Sequence, residues 1–168
     1  ATVRKGVFKL AFSENAQKVG MPLIPCREAK HIWTQTRIIE DAVFGTDLTG
    51  ANIIVSGGLG MGSRENFKKL HTLADMLGAA VGASRAAVAA GYAGYAHQVG
   101  QTGVSVRPDI YIAFGISGAV QHLSGISGAK KIYAVNHDPK APIHEYADFS
   151  VIADCTSVLD KLIEKAGG

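Results

Sequence analysis

Asn52-Ile53-Ile54-Val55-Ser56-Gly57-Gly58-Leu59-Gly60-Met61-Gly62 decides the fold: a short β-branched apolar run breaks into glycines, and a helical pattern follows. Ser63 is placed to cap that helix, and Phe67, Leu70, Leu73, Ala74 and Leu77 recur on one of its faces. Gly78 stops it, because glycine adopts the left-handed backbone that ends a helix. Working outward, the same unit repeats. Ala79-Ala80-Val81-Gly82 reads as a second strand, leading through Ala83-Ser84-Arg85 into an alanine-rich helix that ends near Gly91. Ile110-Tyr111-Ile112-Ala113-Phe114 is a third strand, followed by Gly115-Ile116-Ser117-Gly118 and a helix through Leu123. Lys131-Ile132-Tyr133-Ala134-Val135 is a fourth, ending at Asn136. Phe149-Ser150-Val151-Ile152-Ala153 is a fifth, ending at Asp154 before a last helix from about Ser157 to Lys165. The strands are near-continuous apolar runs, which predicts a sheet buried on both faces. Alternation of strand and helix makes the fold class α/β, a doubly wound parallel sheet of about five strands with helices on both faces.

Upstream of Ala51 the pattern is less regular. Thr2-Val3-Arg4 and Val7-Phe8-Lys9-Leu10 read as short strands, Pro22 and Pro25 bracket an extended piece, and Ile32 to Phe44 holds a short strand or helix. No compact core signal appears there. Residues 1–50 are therefore expected to be an N-terminal lead, the remnant of a preceding domain, and residues 51–168 the folded domain.

Composition bounds the function. Hydrophobic residues make up 47% of the 168 and charged residues 18%, a globular balance that supports a buried core. A net charge of +3 with no Lys/Arg run argues against nucleic acid. Cys26 and Cys155 form no C-x-x-C pair and, with no signal peptide in view, are expected to be reduced thiols of an intracellular protein. No apolar stretch approaches the roughly 18 residues that span a bilayer, so no membrane insertion is expected. The six histidines show no ligand spacing, and no metal site is expected.

In a doubly wound sheet, ligands bind beyond the carboxyl ends of the strands. The polar and glycine-rich segments of this chain fall at those ends: Ser56 to Gly62, Ser84-Arg85, Gly115 to Gly118, Asn136 and Asp154. Their convergence points to a nucleotide-like ligand. Ser117, at the start of a helix, suits a phosphate or caps its own helix. Asp154 suits ribose hydroxyls or caps the last helix. The glycines after the first strand do not fit G-x-G-x-x-G, since Ser63 stands where the last glycine belongs, and no G-K-[ST] phosphate loop is present. His97-Gln98-Val99-Gly100-Gln101-Thr102-Gly103 is either a loop that offers backbone N–H groups and amides to a planar heterocycle or a surface crossover.

Three segments together resemble the electron-transfer flavoprotein alpha-subunit family. They are Val81-Gly82-Ala83-Ser84-Arg85-Ala86-Ala87-Val88, Gln98-Val99-Gly100-Gln101-Thr102-Gly103, and Ile112-Ala113-Phe114-Gly115-Ile116-Ser117-Gly118-Ala119-Val120-Gln121-His122. Val55-Ser56-Gly57-Gly58, Ala134-Val135-Asn136-His137-Asp138-Pro139 and Ile152-Ala153-Asp154 follow the family's order and spacing, so the resemblance runs from about Ala51 to the C-terminus. It implies that residues 51–168 bind FAD in an extended form. Arg85 would then lie by the isoalloxazine, Thr102 at its N5 edge, and Gln98, Val99, Gly100 and Gln101 around it. His122 would stand near the pyrimidine end and favour negative charge on a one-electron-reduced flavin. Ser84, Ser117, Gly118, Ala119, Val120 and Gln121 would line the ribityl and pyrophosphate portion. Asn136, Asp154 and the backbone at Cys155 would hold the adenosine half.

The resemblance further implies an electron carrier, a relay without substrate chemistry of its own. It would take electrons from flavin dehydrogenases, such as acyl-CoA dehydrogenases, and pass them to a quinone oxidoreductase. Its implied partner is the electron-transfer flavoprotein beta subunit, in a heterodimer. Its implied location is cytoplasmic in a bacterium and the mitochondrial matrix in a eukaryote. Two departures stand out. Leu59 occupies a position where the family usually has arginine, so a phosphate or adenine contact is either missing or supplied by Arg64 or Lys68. Ala1 to about Gly50 stands where the family carries a whole N-terminal α/β domain, with Thr2-Val3-Arg4 resembling its end. The alternatives are the FAD-binding part of an electron-bifurcating flavoprotein and a non-redox nucleotide-binding module.

Overall fold

The computed structural model describes residues 47–167. The expected elements before residue 47, and Cys26, lie outside the described residues.

Five strands form one parallel sheet: β1 (Ile53–Gly57), β2 (Ala80–Ala83), β3 (Ile110–Phe114), β4 (Lys131–Asn136) and β5 (Phe149–Ile152). Their order is β2-β1-β3-β4-β5. The chain therefore winds one way from β1 to β2, crosses back over β1, and continues the other way from β3. Beyond the carboxyl ends of β1 and β3, where the winding reverses, such a sheet opens a crevice.

Among the described residues, five helices cover the sheet: α1 (Arg64–Leu77), α2 (Arg85–Ala89), α3 (Val120–Ile126), α4 (Ile143–Tyr146) and α5 (Cys155–Ala166). Alternate side chains of β1 divide the core in two. Val55 joins Phe67, Leu70, Leu73 and Leu159 on the side of α1 and α5, whereas Ile54 joins Tyr111, Leu123, Ile126 and Ile143 on the side of α3 and α4. Helix α1 forms as its sequence predicts. Ser63 Oγ accepts the Asn66 amide at 3.1 Å, and Gly78 ends the helix in the left-handed region at φ 60°.

Boundaries shift by a few residues, most at the last helix. It begins at Cys155 rather than near Ser157, because the Asp154 carboxylate draws the Ser157 amide into its first turn at 2.7 Å. The short helix α4 and two single 3-10 turns, Leu59–Met61 and Tyr95–His97, were not expected. The sheet is also less enclosed than the apolar runs predict. On β5, Phe149 and Ile152 are exposed, and Tyr133 of β4 meets Phe149 edge to face with ring centroids 6.4 Å apart. An edge strand has only one neighbour, so a continuous apolar run there does not require burial on both faces.

Candidate functional site

The loop after β1 is glycine-rich because another backbone passes against it. The Gly58 amide donates to the Phe114 carbonyl at 2.8 Å, and the Gly60 amide donates to the Gly115 carbonyl at 3.0 Å. A Cβ on Gly58 would collide with the Gly115 carbonyl oxygen, and Gly115 itself has φ 62°. The two loops that leave the switch point are thus clasped together, which fixes the floor of a cleft.

That cleft, of about 420 Å³, brings Ser84, Ser117, His122 and Asn136 together. Leu59, Gly60, Gly115 and Ile116 also line it, as do His137 and Asp138 from the turn after β4. The turn is built by side chains. Asn136 Nδ2 donates to the Ile116 carbonyl at 2.9 Å while Asn136 Oδ1 accepts the Asp138 amide at 3.0 Å. Asn136 is buried, and it ties the loop after β3 to the turn after β4. Ser84 is buried as well, and caps α2 by accepting the Ala87 amide at 3.2 Å.

Ser117 does not cap a helix. Helix α3 starts later than expected, at Val120, and its N-cap residue Ala119 makes no side-chain hydrogen bond. Ser117 is exposed, and its carbonyl accepts the Ile143 amide at 3.0 Å. Gly118 follows at φ 87°, packed so closely on Ile143 that a Cβ would collide with its amide nitrogen. Ala119, Val120 and Gln121 are exposed at the start of α3.

The loop over residues 98–103 is locked onto α3. The Gln101 amide donates to the Gln121 carbonyl at 2.7 Å, and a Cβ on Gly125 would stand 2.5 Å from Gly100 Cα. Inside the loop, Gln98 Nε2 donates to Thr102 Oγ1 at 3.0 Å, and Tyr95 donates its hydroxyl proton to the Thr102 carbonyl at 2.7 Å. Gln98, Val99 and Gly100 are buried, while Gln101 and Thr102 are exposed. The loop is thus a rigid shelf beside His122.

His122 is 7% exposed, and its Nε2 lies 3.0 Å from the Tyr111 hydroxyl. Its Nδ1 is buried without a hydrogen bond of good geometry among the described residues. Burial lowers its pKa to about 4; the Val99 backbone carbonyl, which favours the charged form, offsets only part of this. At neutral pH the imidazole facing the cleft is therefore uncharged.

The other expected residues lie outside that cleft. Arg85 is the exposed first residue of α2, next to Ser84. Asp154 caps α5, with Oδ1 accepting from the Ser157 amide at 2.7 Å and the Ser157 hydroxyl at 2.9 Å, and these bonds hold its pKa below the usual carboxylate value. Cys155 is buried, donates its thiol to the Val135 carbonyl at 3.2 Å, and has its pKa raised by burial. Sequence reasoning passed over His137, Asp138 and Tyr111. The first two stood inside a quoted motif at a strand end, where a signal existed. Tyr111 had none, because in a run of apolar residues a tyrosine reads as core.

A parallel α/β domain with a cleft at its switch point, floored by clasped glycine loops and edged by Ser84, Ser117, His122 and Asn136, belongs to the class that binds nucleotide cofactors. Residues 47–127 match the electron transfer flavoprotein FAD-binding domain family. An electron transfer flavoprotein alpha subunit of Mycobacterium leprae is 46% identical over 165 residues, covering 97% of this chain and 51% of that protein. The alpha subunit of Bacillus subtilis is 51% identical over 128 residues, 76% of this chain and 39% of the relative. The mitochondrial alpha subunit of Oryza sativa subsp. indica is 55% identical over 119 residues, 71% of this chain and 33% of the relative. The chain belongs to the electron transfer flavoprotein alpha-subunit family through its FAD-binding domain. It spans about half the length of these relatives or less. Among the described residues, no helix is long and apolar enough to cross a membrane, and no group of three or more His, Cys, Asp or Glu side chains is placed to hold a metal ion.

Proposed function

We propose that this chain binds one FAD along the carboxyl ends of its strands and acts as an electron carrier rather than an enzyme with its own substrate. The observation that carries the reading is the cleft at the switch point, where Ser84, Ser117, His122 and Asn136 converge in a domain of the FAD-binding family. Two features fit a cofactor of this kind. The clasp of Gly58, Gly60 and Gly115 holds the two loops that floor the cleft in one fixed geometry, and among the described residues a buried ring nitrogen of His122 has no well-formed hydrogen bond.

When bound, FAD supplies the redox chemistry and the protein tunes it. In this reading the rigid shelf of Gln98, Val99, Gly100, Gln101 and Thr102 orients the isoalloxazine, and the exposed Arg85 guanidinium supplies a fixed positive charge beside it. A preorganised cation favours added negative charge most where water is excluded. Ser84, Ser117 and the segment Gly118, Ala119, Val120, Gln121 hold the ribityl and pyrophosphate. Asn136, Asp154 and the Cys155 backbone hold the adenosine half. His122, uncharged at neutral pH, orients a ring edge toward the pyrimidine end.

The beta subunit is the proposed partner in a heterodimer. Flavin dehydrogenases such as acyl-CoA dehydrogenases are the proposed donors, and a quinone oxidoreductase the proposed acceptor. The test is direct. Purified chain should be yellow or become so on adding FAD, and denaturation should release FAD with its own absorption spectrum. Protein that stays colourless, and that binds ADP as tightly as FAD, would overturn the flavin reading in favour of a plain nucleotide module.

A further inference from the structure

Tyr111 is fully buried at the start of β3, three residues before the loop that floors the cleft, and nothing in the proposed cofactor contacts uses it. Its hydroxyl lies 3.0 Å from His122 Nε2, and the two rings tilt at 57° with centroids 6.0 Å apart. On the same sheet face, Ser56 of β1 is also fully buried, and its Oγ has no well-formed hydrogen bond among the described residues. Three polar side chains thus occupy one patch of an apolar core. Burying a polar group without a partner is costly, so the proton between Tyr111 and His122 has to be placed to serve both.

The two possible directions are not equivalent. If His122 Nε2–H donated to Tyr111, the phenol proton would have to turn away from the imidazole, and the bare lone pair would be left on Nδ1. If Tyr111 donates to Nε2, the imidazole proton sits on Nδ1. A phenol is also the stronger acid of the pair and an imidazole nitrogen the stronger base.

We propose that Tyr111 is a positioning residue for His122: its hydroxyl donates to Nε2, fixes the ring proton on Nδ1, and so sets which edge His122 offers to the cleft. The consequence for the cofactor rests on the proposed FAD reading, whereas the tautomer itself does not. Burial raises the Tyr111 pKa, with only the Ser56 hydroxyl opposing it, so the phenol keeps its proton throughout the ordinary pH range.

The test is nitrogen NMR of the full chain labelled with 15N-histidine at neutral pH, with the His122 signal assigned by its loss in His122→Gln. The expected result is a protonated Nδ1 and an unprotonated, hydrogen-bonded Nε2. Tyr111→Phe should weaken this preference by about fivefold to tenfold, the equivalent of one hydrogen bond of about 1 kcal/mol. An Nε2–H tautomer in the unsubstituted protein overturns the proposal without requiring any variant to fold. So does a tautomer ratio unchanged in a folded Tyr111→Phe. In the FAD-loaded protein, Tyr111→Phe should also shift the flavin midpoint potential, and an unchanged potential refutes the link to the cofactor. Failure to bind FAD would sink the functional reading while leaving the tautomer result standing.

Discussion

Acid should destabilise this domain through His122, by an amount the structure sets. The ring is 7% exposed, and its pKa falls to about 4 from an ordinary 6.5, chiefly through burial. Between those two values the unfolded chain takes up a proton that the folded chain refuses. Stability is therefore fully present above about pH 6.5 and is lost as the pH falls toward 4. With about 1.4 kcal/mol per pKa unit, the loss is about 2 kcal/mol at pH 5 and levels off near about 3 kcal/mol below pH 4. For a domain that typically has 5–15 kcal/mol in total, roughly 2 kcal/mol is a large share.

Urea unfolding followed by circular dichroism measures it, on FAD-free chain at pH 7.5 and pH 5. His122→Gln keeps a polar side chain beside Tyr111 but cannot titrate. Asp148 and Asp154, whose pKa values are lowered by their hydrogen bonds, also lose stability as the pH falls, but they do so equally in both proteins. The difference between the two pH dependences isolates the imidazole. The unsubstituted chain should lose about 2 kcal/mol more than the variant, a relative midpoint shift of about 1 M urea for a slope of about 2 kcal/mol per M. Parallel losses in the two proteins would refute the reasoning, since they would mean that His122 protonates as easily folded as unfolded.

Other consequences are simpler. Gly58→Ala should push the loop after β1 off the Gly115 carbonyl and weaken FAD binding at least tenfold, read by flavin fluorescence titration; binding unchanged would mean that the clasp does not shape the site. Asp154→Ala should lower the unfolding midpoint by removing the α5 cap, and Asp154→Asn should lower it less. If Asp154 also serves the ribose, both variants should weaken FAD binding, which a titration distinguishes from loss of the cap alone. Leu59→Arg, at an exposed position of the cleft wall, should tighten FAD binding a few-fold in low salt by placing a cation near the phosphates, and the gain should fade at high salt.

The fold was legible because its signals are local. Val55 and Phe114 each lead into glycines, Ser63 and Gly78 bracket a helix with one apolar face, and these patterns need no knowledge of what lies across the sheet. The site was legible only as far as it is written at strand ends. Ser84, Asn136 and Asp154 could be singled out there, but whether each caps a helix, ties two loops or faces the cleft depends on partners far away in sequence. Asn136 shows the difference: its bond to the Ile116 carbonyl joins residues 20 apart and cannot be inferred from either neighbourhood. His122 shows it more sharply. A helix position gives its face but not its burial, nor the lowered pKa that follows from being buried beside Tyr111. Tyr111 was invisible for the same reason in reverse, since its apolar neighbours account for its place in a strand and only its hydroxyl needs the partner across the core. In this domain the sequence announces backbone geometry and conceals the buried polar contacts, and it is the latter that set the charge state of the group at the cleft.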